Sequence, residues 1–172
     1  MNFIVINGPS CVGKSTTINH LMETKDGYFH LSYDKIKRNF SRYESGKYVN
    51  EIFSLLFVME KNICEQGLDI LTDIAVWREN REKIIEIAKQ YNYQIFEINL
   101  EAPFDVVLER FRNRVNESII NPEKKLANTS EVRLKEMFDI YEEGKNKNAL
   151  TLRTDQLTPQ EIKEQILDYI NR

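Results

Sequence analysis

The sequence predicts an α/β fold in three layers, in which helices cover both faces of a five-stranded parallel sheet. Short apolar segments alternate with amphipathic helical segments along all 172 residues, which is typical of a parallel sheet. The first apolar segment runs directly into a glycine-containing loop and then into a helix. No repeat, low-complexity tract or linker divides the chain, so we expect one domain over residues 1–172.

The first apolar segment, Phe3–Ile6, is unbroken and predicts a strand that is buried on both faces. The stretch after it fits G-x-x-x-x-G-K-[ST] at every fixed position, with Gly8, Pro9, Ser10, Cys11, Val12, Gly13, Lys14 and Ser15. In this pattern successive backbone N–H groups turn inward and bind phosphate at the positive end of the next helix. Lys14 can reach the β- and γ-phosphates of a nucleotide, and the Ser15 hydroxyl can ligate Mg²⁺. The sequence therefore predicts a site for a nucleoside triphosphate with Mg²⁺.

The first half of the chain contains three further helices and two further strands. In order, we predict helix 15–22, strand 28–31, helix 35–43, helix 49–66 and strand 69–74. Asp26-Gly27 is a turn before the second strand, and Ser32-Tyr33-Asp34 opens the helix after that strand. Apolar residues recur at helical spacing along 49–66, and Gly67 fits the position that ends such a helix.

The second half continues the alternation. We predict helix 78–91, strand 94–100, a helix from 103, a helix from about 130 to 144, strand 149–152 and a helix from 159. Pro103 suits the first position of its helix, Thr129-Ser130 caps the next one, and Thr158-Pro159-Gln160-Glu161 is a capping box. Residues 116–128 are polar and aperiodic, which predicts a mobile loop within a lid segment at about 110–129.

Composition limits the classes of function. A formal net charge of −3 argues against a broad nucleic-acid surface, which is normally basic, although residues 33–48 carry a local excess of positive charge. The two cysteines lack the spacing of a metal site or a disulfide framework, and no apolar stretch is long enough to cross a bilayer. We therefore expect a cytoplasmic protein that does not bind membranes.

Two aspartates are expected at the edge of the sheet where the strands end, which is where α/β folds place their active sites. Asp34 follows the second strand and is the candidate base for an attacking hydroxyl. An aspartate there also commonly caps the next helix, and the two roles are compatible. Asp73 ends the third strand, where it could hold an Mg²⁺-bound water or orient a basic partner or, equally, cap the helix region at Arg78.

A phosphate loop alone is compatible with kinases, GTPases and ATP-driven machines. A GTPase should carry N-K-x-D after a later strand, but the nearest string, Asn146-Lys147-Asn148-Ala149, lacks the aspartate. Phosphoryl transfer also calls for arginines that close over the nucleotide. Arg110 and Arg114 lie one helical turn apart just before the polar loop, as a lid requires, although surface arginines are usually only solvated. These residues favour a small phosphotransferase.

The motifs together resemble the small P-loop kinases grouped with 5′-polynucleotide kinase, zeta toxin and chloramphenicol phosphotransferase. The resemblance covers nearly the whole chain and implies a nucleoside-monophosphate-kinase-like P-loop fold with strand order 2-3-1-4-5. It rests on residues 8–16, Ser32-Tyr33-Asp34, Leu71-Thr72-Asp73 with Arg81 downstream, and Val107-Leu108-Glu109-Arg110 followed by Arg114.

The resemblance also implies residue roles. The loop residues through Thr16 bind ATP, Ser15 and Asp73 lie at the Mg²⁺ ion, Asp34 is the base and Arg114 stabilises the transferring group. Lys37 and Arg38 occupy the region where polynucleotide kinases hold the substrate phosphate, but a lysine does not replace a bidentate arginine. Arg81 is a further substrate-binding candidate. Thr154-Asp155 resembles the segment that borders the adenine.

The leading hypothesis is an ATP-dependent kinase that phosphorylates a hydroxyl of a small molecule or a nucleic-acid 5′ end, acting as a monomer or homodimer. The basic segment at 33–48 favours an anionic acceptor. A second hypothesis is an ATP-binding regulatory protein without phosphotransfer. A third is an ATPase whose hydrolysis is stimulated by a partner macromolecule.

Overall fold

The computed structural model describes residues 1–24, 26–44, 46–74, 78–121 and 130–172. Two parts of the sequence-based predictions therefore lie outside the described residues. They are the end of the predicted lid segment, residues 122–129, and the proposed helix cap at Thr129.

A five-stranded parallel sheet forms the middle layer. Its strands are β1 (Asn2–Asn7), β2 (Tyr28–Leu31), β3 (Asp69–Thr72), β4 (Gln94–Glu101) and β5 (Leu150–Arg153). They lie in the order β2-β3-β1-β4-β5, so the predicted strand order is confirmed. All four strand pairs are parallel, and β1 is the central strand, paired with β3 on one side and with β4 on the other.

Helices cover both faces of the sheet. They are α1 (Lys14–Met22), α2 (Tyr33–Lys37), α3 (Val49–Glu65), α4 (Arg78–Gln90), α5 (Phe104–Ile120), α6 (Glu131–Gly144) and α7 (Pro159–Ile170). Thr158 and Glu161 form the predicted capping box before α7. Gly67, with φ 69°, follows the end of α3 in the left-handed conformation that sequence analysis predicted for it.

The core has two halves because side chains alternate between the faces of a strand. Ile4 and Ile6 of β1 pack with apolar residues of α1, α5, α6 and α7. Phe3 and Val5 point the other way and pack with residues of α2, α3 and α4. All four side chains are at most 3% exposed, which explains why β1 is an unbroken apolar run.

Several predicted boundaries were wrong, most of them by one residue, as at both ends of β5; four of the corrections have a local physical reason. The helix predicted at 35–43 spans only Tyr33–Lys37, and Arg42 has φ 50°, which no right-handed helix accommodates. The third strand ends at Thr72, whose hydroxyl accepts a hydrogen bond from Ile74 N and so turns the chain. Pro103 is the N-cap of α5 rather than its first residue.

The fourth correction concerns the loop predicted to begin at residue 116. Helix α5 continues to Ile120, because residues 116–120 contain neither glycine nor proline and nothing interrupts the backbone hydrogen bonds. No helix within the described part of the chain is both long enough and apolar enough to span a bilayer.

Candidate active site

The phosphate loop connects β1 to α1, and its first glycine is sterically required. Gly8 has φ 152°, and a Cβ atom there would lie 2.7 Å from Val12 Cγ1 and 2.8 Å from the backbone oxygen of Leu100. Gly13, with φ 118°, is the N-cap of α1. The spacing of the two glycines thus lets the loop close tightly over the end of the sheet at the start of a helix, where anions bind.

Lys14 lies at the centre of the site. Its Nζ donates hydrogen bonds to the backbone oxygens of Gly8 and Pro9, each at 2.8 Å. Desolvation lowers the pKa of Lys14, while the carboxylates of Asp73 and Asp34 act in the opposite direction. The positive charge of Arg114 also acts on this ammonium group and lowers its pKa. The fold therefore brings Asp34, Asp73 and Arg114 within electrostatic reach of Lys14.

Asp73 follows β3 and is held from the neighbouring strand. His30 Nε2 lies 3.2 Å from Asp73 Oδ1, and the Ser32 hydroxyl also hydrogen-bonds this carboxylate. Burial alone would raise the pKa of Asp73, but the hydrogen bonds from His30 and Ser32 and the charges of His30 and Lys14 outweigh burial and lower it. The carboxylate is therefore ionised at neutral pH.

Asp34 is the second residue of α2, in a more open position. Its side chain is 63% exposed, and Oδ1 lies 2.5 Å from Lys37 Nζ. Ser32 occupies the N-cap position of this helix without making a side-chain capping bond. Asp34 lies in the first turn of the helix, so its carboxylate is favoured by the helix dipole and remains accessible to solvent.

Arg110 and Arg114 of α5 have different surroundings. Arg110 Nη1 lies 3.1 Å from the backbone oxygen of Val12 and 2.9 Å from Thr154 Oγ1, and its Nη2 lies 2.7 Å from Thr154 O. Arg114 is exposed and contacts Cys11, with Nη1 3.5 Å from Sγ. Arg110 is therefore fixed by the loop, whereas Arg114 lies over the loop with few constraints.

The predicted adenine-bordering segment follows β5. Asp155 forms a two-point ion pair with Arg153, at 2.9 and 2.8 Å, and this pair lowers the pKa of Asp155. Arg110 joins this segment to the phosphate loop through Thr154. Sequence analysis did not single out Thr154 as a partner of Arg110, because the two residues are 44 positions apart and local pattern cannot show such a contact.

The predicted substrate-binding residues lie in three settings. Lys37 is paired with Asp34 and lies about as close to the Tyr33 ring as to the Tyr43 ring, at 6.0 and 5.9 Å from their centroids. Arg38 is exposed and forms no ion pair with any of the described residues. Arg81 is paired with Glu97 in the middle of β4 and is not among the charges that act on Lys14.

The residues present fit a Mg²⁺ ion that is held mainly by nucleotide phosphates. Mg²⁺ prefers oxygen ligands and is usually bound by one or two protein groups, with substrate phosphates and water supplying the rest. The Ser15 hydroxyl is exposed in the first turn of α1, and Asp73 is an ionised carboxylate beside Lys14. Among the described residues no cluster of three or more histidines, cysteines or acids forms a separate metal site.

His30 and Ser32 are the site residues that sequence analysis missed. The one available signal was a histidine inside a short strand whose other residues are apolar or aromatic, close to the carboxyl end of the sheet. Ser32 was noted only as the start of a helix. Their shared partner lies about 40 residues further along the chain, so the strand pairing between β2 and β3 was needed to reveal it.

Comparison with known proteins identifies a family for most of the chain and a shared fold. A family described as an AAA domain, AAA_33, matches residues 3–143. Among solved structures, the tunicamycin resistance protein of Deinococcus radiodurans is 18% identical with a TM-score of 0.66, over 98% of this chain and 95% of that one. No curated protein matches the sequence significantly.

Two further solved structures share the architecture. A sugar kinase from Janibacter is 15% identical with a TM-score of 0.68, over 99% of this chain and 95% of that one. The Mycobacterium tuberculosis APS kinase CysC, solved with AMPPNP and APS, is 16% identical with a TM-score of 0.68, over 99% and 98% of the two chains. The TM-scores show a shared fold, that of the P-loop kinases, and at identities this low they show the fold alone.

Proposed function

The chain belongs to the AAA-domain family AAA_33, and on that premise we propose that it is an ATP-dependent kinase that transfers the γ-phosphate to a hydroxyl group. The observation that carries the proposal is the arrangement around Lys14. Two carboxylates, Asp34 and Asp73, and one guanidinium, Arg114, act on this ammonium group within the phosphate loop. Phosphoryl transfer needs these elements: a cradle for the phosphates, a metal site, a base and a mobile positive charge.

Each residue of the site has a role that suits its burial and charge. In the complex, the N–H groups of the loop and the Lys14 ammonium would bind the β- and γ-phosphates, and Ser15 and Asp73 would hold a Mg²⁺ ion, which would supply charge neutralisation. Asp34, exposed and negatively charged, accepts the proton of the acceptor hydroxyl. The acceptor oxygen forms a bond to the γ-phosphorus, the bond from that phosphorus to the bridging oxygen breaks, and ADP leaves. Arg114 moves from Cys11 to the transferring group.

The nucleotide base is proposed to lie beside Asp155 and Arg110. Support comes from the hydrogen bonds by which Arg110 holds Thr154 next to the phosphate loop. Beyond Arg110, we propose that α5 and the segment after it form the lid, about residues 110–129, within a single domain of residues 1–172. Arg114 and the exposed end of α5, with Ile119 at 74% and Ile120 at 84%, lie on its described part.

We propose an anionic acceptor, either a small molecule or a nucleic-acid 5′ end. Support comes from exposed basic side chains in the segment that follows Asp34, which form no ion pair within the described residues: Lys35, Arg38, Arg42 and Lys47. Aromatic rings lie among them, including Phe40 stacked on Tyr48 at 5.0 Å. Cations interspersed with rings suit a ligand that carries phosphate together with a planar group.

The alternative is a regulatory protein that binds ATP without transferring phosphate, and Asp34→Asn separates the two. If Asp34 is the base, this variant should lose about 10²- to 10⁴-fold in turnover and keep its ATP affinity. Asp105→Asn is the matched control, because Asp105 is also an exposed acid in the first turn of a helix. It should leave turnover unchanged.

The direct experiment is transfer of labelled γ-phosphate to a panel of acceptors. The panel contains oligonucleotides with 5′-hydroxyl ends, sugars, shikimate-like acids, and aminoglycoside and phenicol drugs. Labelling of one class by the wild type, lost in Asp34→Asn, supports the kinase. Absence of labelling from every acceptor, with ATP binding unchanged in Asp34→Asn, would favour the regulatory protein.

A further inference from the structure

The Asp73 carboxylate is held by two residues of the neighbouring chain segment. His30 Nε2 lies 3.2 Å from Asp73 Oδ1, and the two side chains are only 8% and 13% exposed. Ser32, which is 3% exposed, also hydrogen-bonds the carboxylate. The pairing of β2 with β3, in which Leu31 lies opposite Thr72, sets both residues beside Asp73.

The direction of the histidine hydrogen bond follows from the charge of its partner. An ionised carboxylate can only accept hydrogen bonds, so the proton of this contact is carried by His30 Nε2. Ser32 also acts on the Asp73 carboxylate, and its side chain makes no capping bond at the start of α2.

The hydrogen bond from His30 restricts how the carboxylate can rotate. Mg²⁺ requires near-ideal octahedral geometry, so a ligand that is already oriented loses less entropy when the ion binds. In metal sites generally, groups that hydrogen-bond a ligand orient it, and their loss typically costs 10- to 100-fold in metal affinity or activity. His30 and Ser32 stand in this relation to Asp73.

We propose that His30, assisted by Ser32, is a positioning residue that fixes the Asp73 carboxylate for binding of the Mg²⁺–nucleotide complex. The inference rests on the proposed function, because it takes Asp73 as the metal-side carboxylate of the site. His30 does not touch the nucleotide; it acts through Asp73.

The test compares three histidine variants. His30→Leu removes the donor and keeps an apolar side chain, whereas His30→Gln places an amide N–H at a similar distance along the side chain. His20→Leu is the matched control, because His20 lies in the last turn of α1 and is not among the groups that act on Asp73 or Lys14. The probe is mant-ATP, titrated once in EDTA and once over a range of Mg²⁺ concentrations.

We expect His30→Leu to bind mant-ATP in EDTA as the wild type does and to need about 10- to 100-fold more Mg²⁺ for the metal-dependent increase in affinity. His30→Gln should lie within about threefold of the wild type, and His20→Leu should match it. An unchanged Mg²⁺ requirement in His30→Leu would overturn the proposal. So would an equal loss of affinity in EDTA, since the residue would then support the loop as a whole.

A second variant protects the test against misfolding. If thermal unfolding shows that His30→Leu is not folded, Ser32→Ala removes the other donor with a smaller change in volume. It should raise the Mg²⁺ requirement about tenfold, and no change there would contradict the proposal. The two proposals can fail separately. If the wild type transfers phosphate to no acceptor but the variants still need more Mg²⁺ than the wild type, the proposed kinase activity is contradicted and the role of His30 stands.

Discussion

Arg110 Nη1 lies 3.1 Å from the backbone oxygen of Val12, in the middle of the phosphate loop. The same guanidinium group binds both the hydroxyl and the backbone oxygen of Thr154, so one side chain joins α5, the phosphate loop and the segment after β5. Arg114, one turn later, contacts the loop through the Cys11 sulfur. We therefore expect Arg110 to contribute mainly to stability and Arg114 mainly to turnover.

Arg110→Ala should destabilise the protein. The substitution leaves the carbonyl groups of Val12 and Thr154 without their described side-chain donor, and hydrogen bonds to charged groups are worth about 1.5–3 kcal/mol each. We expect the free energy of unfolding to fall by about 2 kcal/mol and nucleotide affinity to fall with it. Urea unfolding and mant-ATP titration measure the two effects; a fully stable variant would show that these hydrogen bonds are not formed in solution.

Arg114→Ala should instead reduce turnover while stability stays within about 0.5 kcal/mol of the wild type, because the side chain is exposed and its described contact is a weak one to sulfur. Loss of a charge that acts on the transferring phosphoryl group should lower kcat by about 10²- to 10³-fold with little change in the KM for ATP. Arg112→Ala is a suitable control on the same helix, since Arg112 is paired with Glu131 at the surface. Equal kcat values for the two variants would exclude a role of Arg114 in transfer.

Gly8→Ala should be among the most damaging substitutions in the loop. A methyl group would lie 2.7 Å from Val12 Cγ1 and 2.8 Å from Leu100 O, at a backbone φ of 152°. We expect a loss of about 3 kcal/mol in unfolding free energy and of nucleotide binding. Gly46 has φ 84°, and nothing lies within 4 Å of an added Cβ atom, so Gly46→Ala measures backbone strain without a steric clash. It should lower the unfolding free energy by nearer 1 kcal/mol.

Glu60 should make the protein less stable as the pH rises. This residue of α3 is fully buried, and neither carboxyl oxygen has a hydrogen-bond partner among the described residues. Burial raises the pKa of Glu60 to about 9, against 4.5 for an unperturbed glutamate. Between those two values the unfolded chain releases a proton that the folded protein keeps. This group therefore removes about 1.4 kcal/mol of stability for each pH unit, and its stabilising contribution is complete only below pH 4.5.

Glu60→Gln, which is neutral at every pH, should abolish this contribution and raise the stability at pH 8 by on the order of 5 kcal/mol. Urea unfolding at pH 6, 7, 8 and 9 measures both effects, with Glu65→Gln as an exposed control on the same helix. If the difference in unfolding free energy between Glu60→Gln and the wild type is the same at all four pH values, Glu60 is not buried in its neutral form.

Cys11 gives a chemical test of nucleotide binding that needs no substitution. Its thiol is partly exposed within the phosphate loop, whereas Cys64 is 4% exposed and lies in the core. Iodoacetamide should therefore alkylate Cys11 first, and MgATP should slow that reaction at least tenfold when it is present at about ten times its Kd or more. Peptide mass spectrometry locates the adduct. Alkylation of Cys11 at the same rate with and without MgATP would contradict binding of the phosphates at this loop.

Several features could be predicted because they depend on neighbouring residues. The spacing of Gly8 and Gly13, the apolar run of β1 and the capping box at Thr158 each report backbone geometry within a few residues, and all three occur in the structure. Errors arose where packing or a single left-handed residue decided the boundary. The end of α2 before Arg42 is one such case, and the extension of α5 through residue 120 is another.

By itself, the sequence determined that a phosphate loop joins a buried strand to a helix and that five parallel strands follow one another along the chain, since periodicity and turn chemistry are local. Only the tertiary structure decided which side chains meet at the end of the sheet. His30 reaches Asp73 across 43 residues, and Arg110 reaches Val12 across 98. Such contacts depend on strand order and helix packing, which arise from the burial of many apolar side chains together and are not encoded in any one stretch of residues.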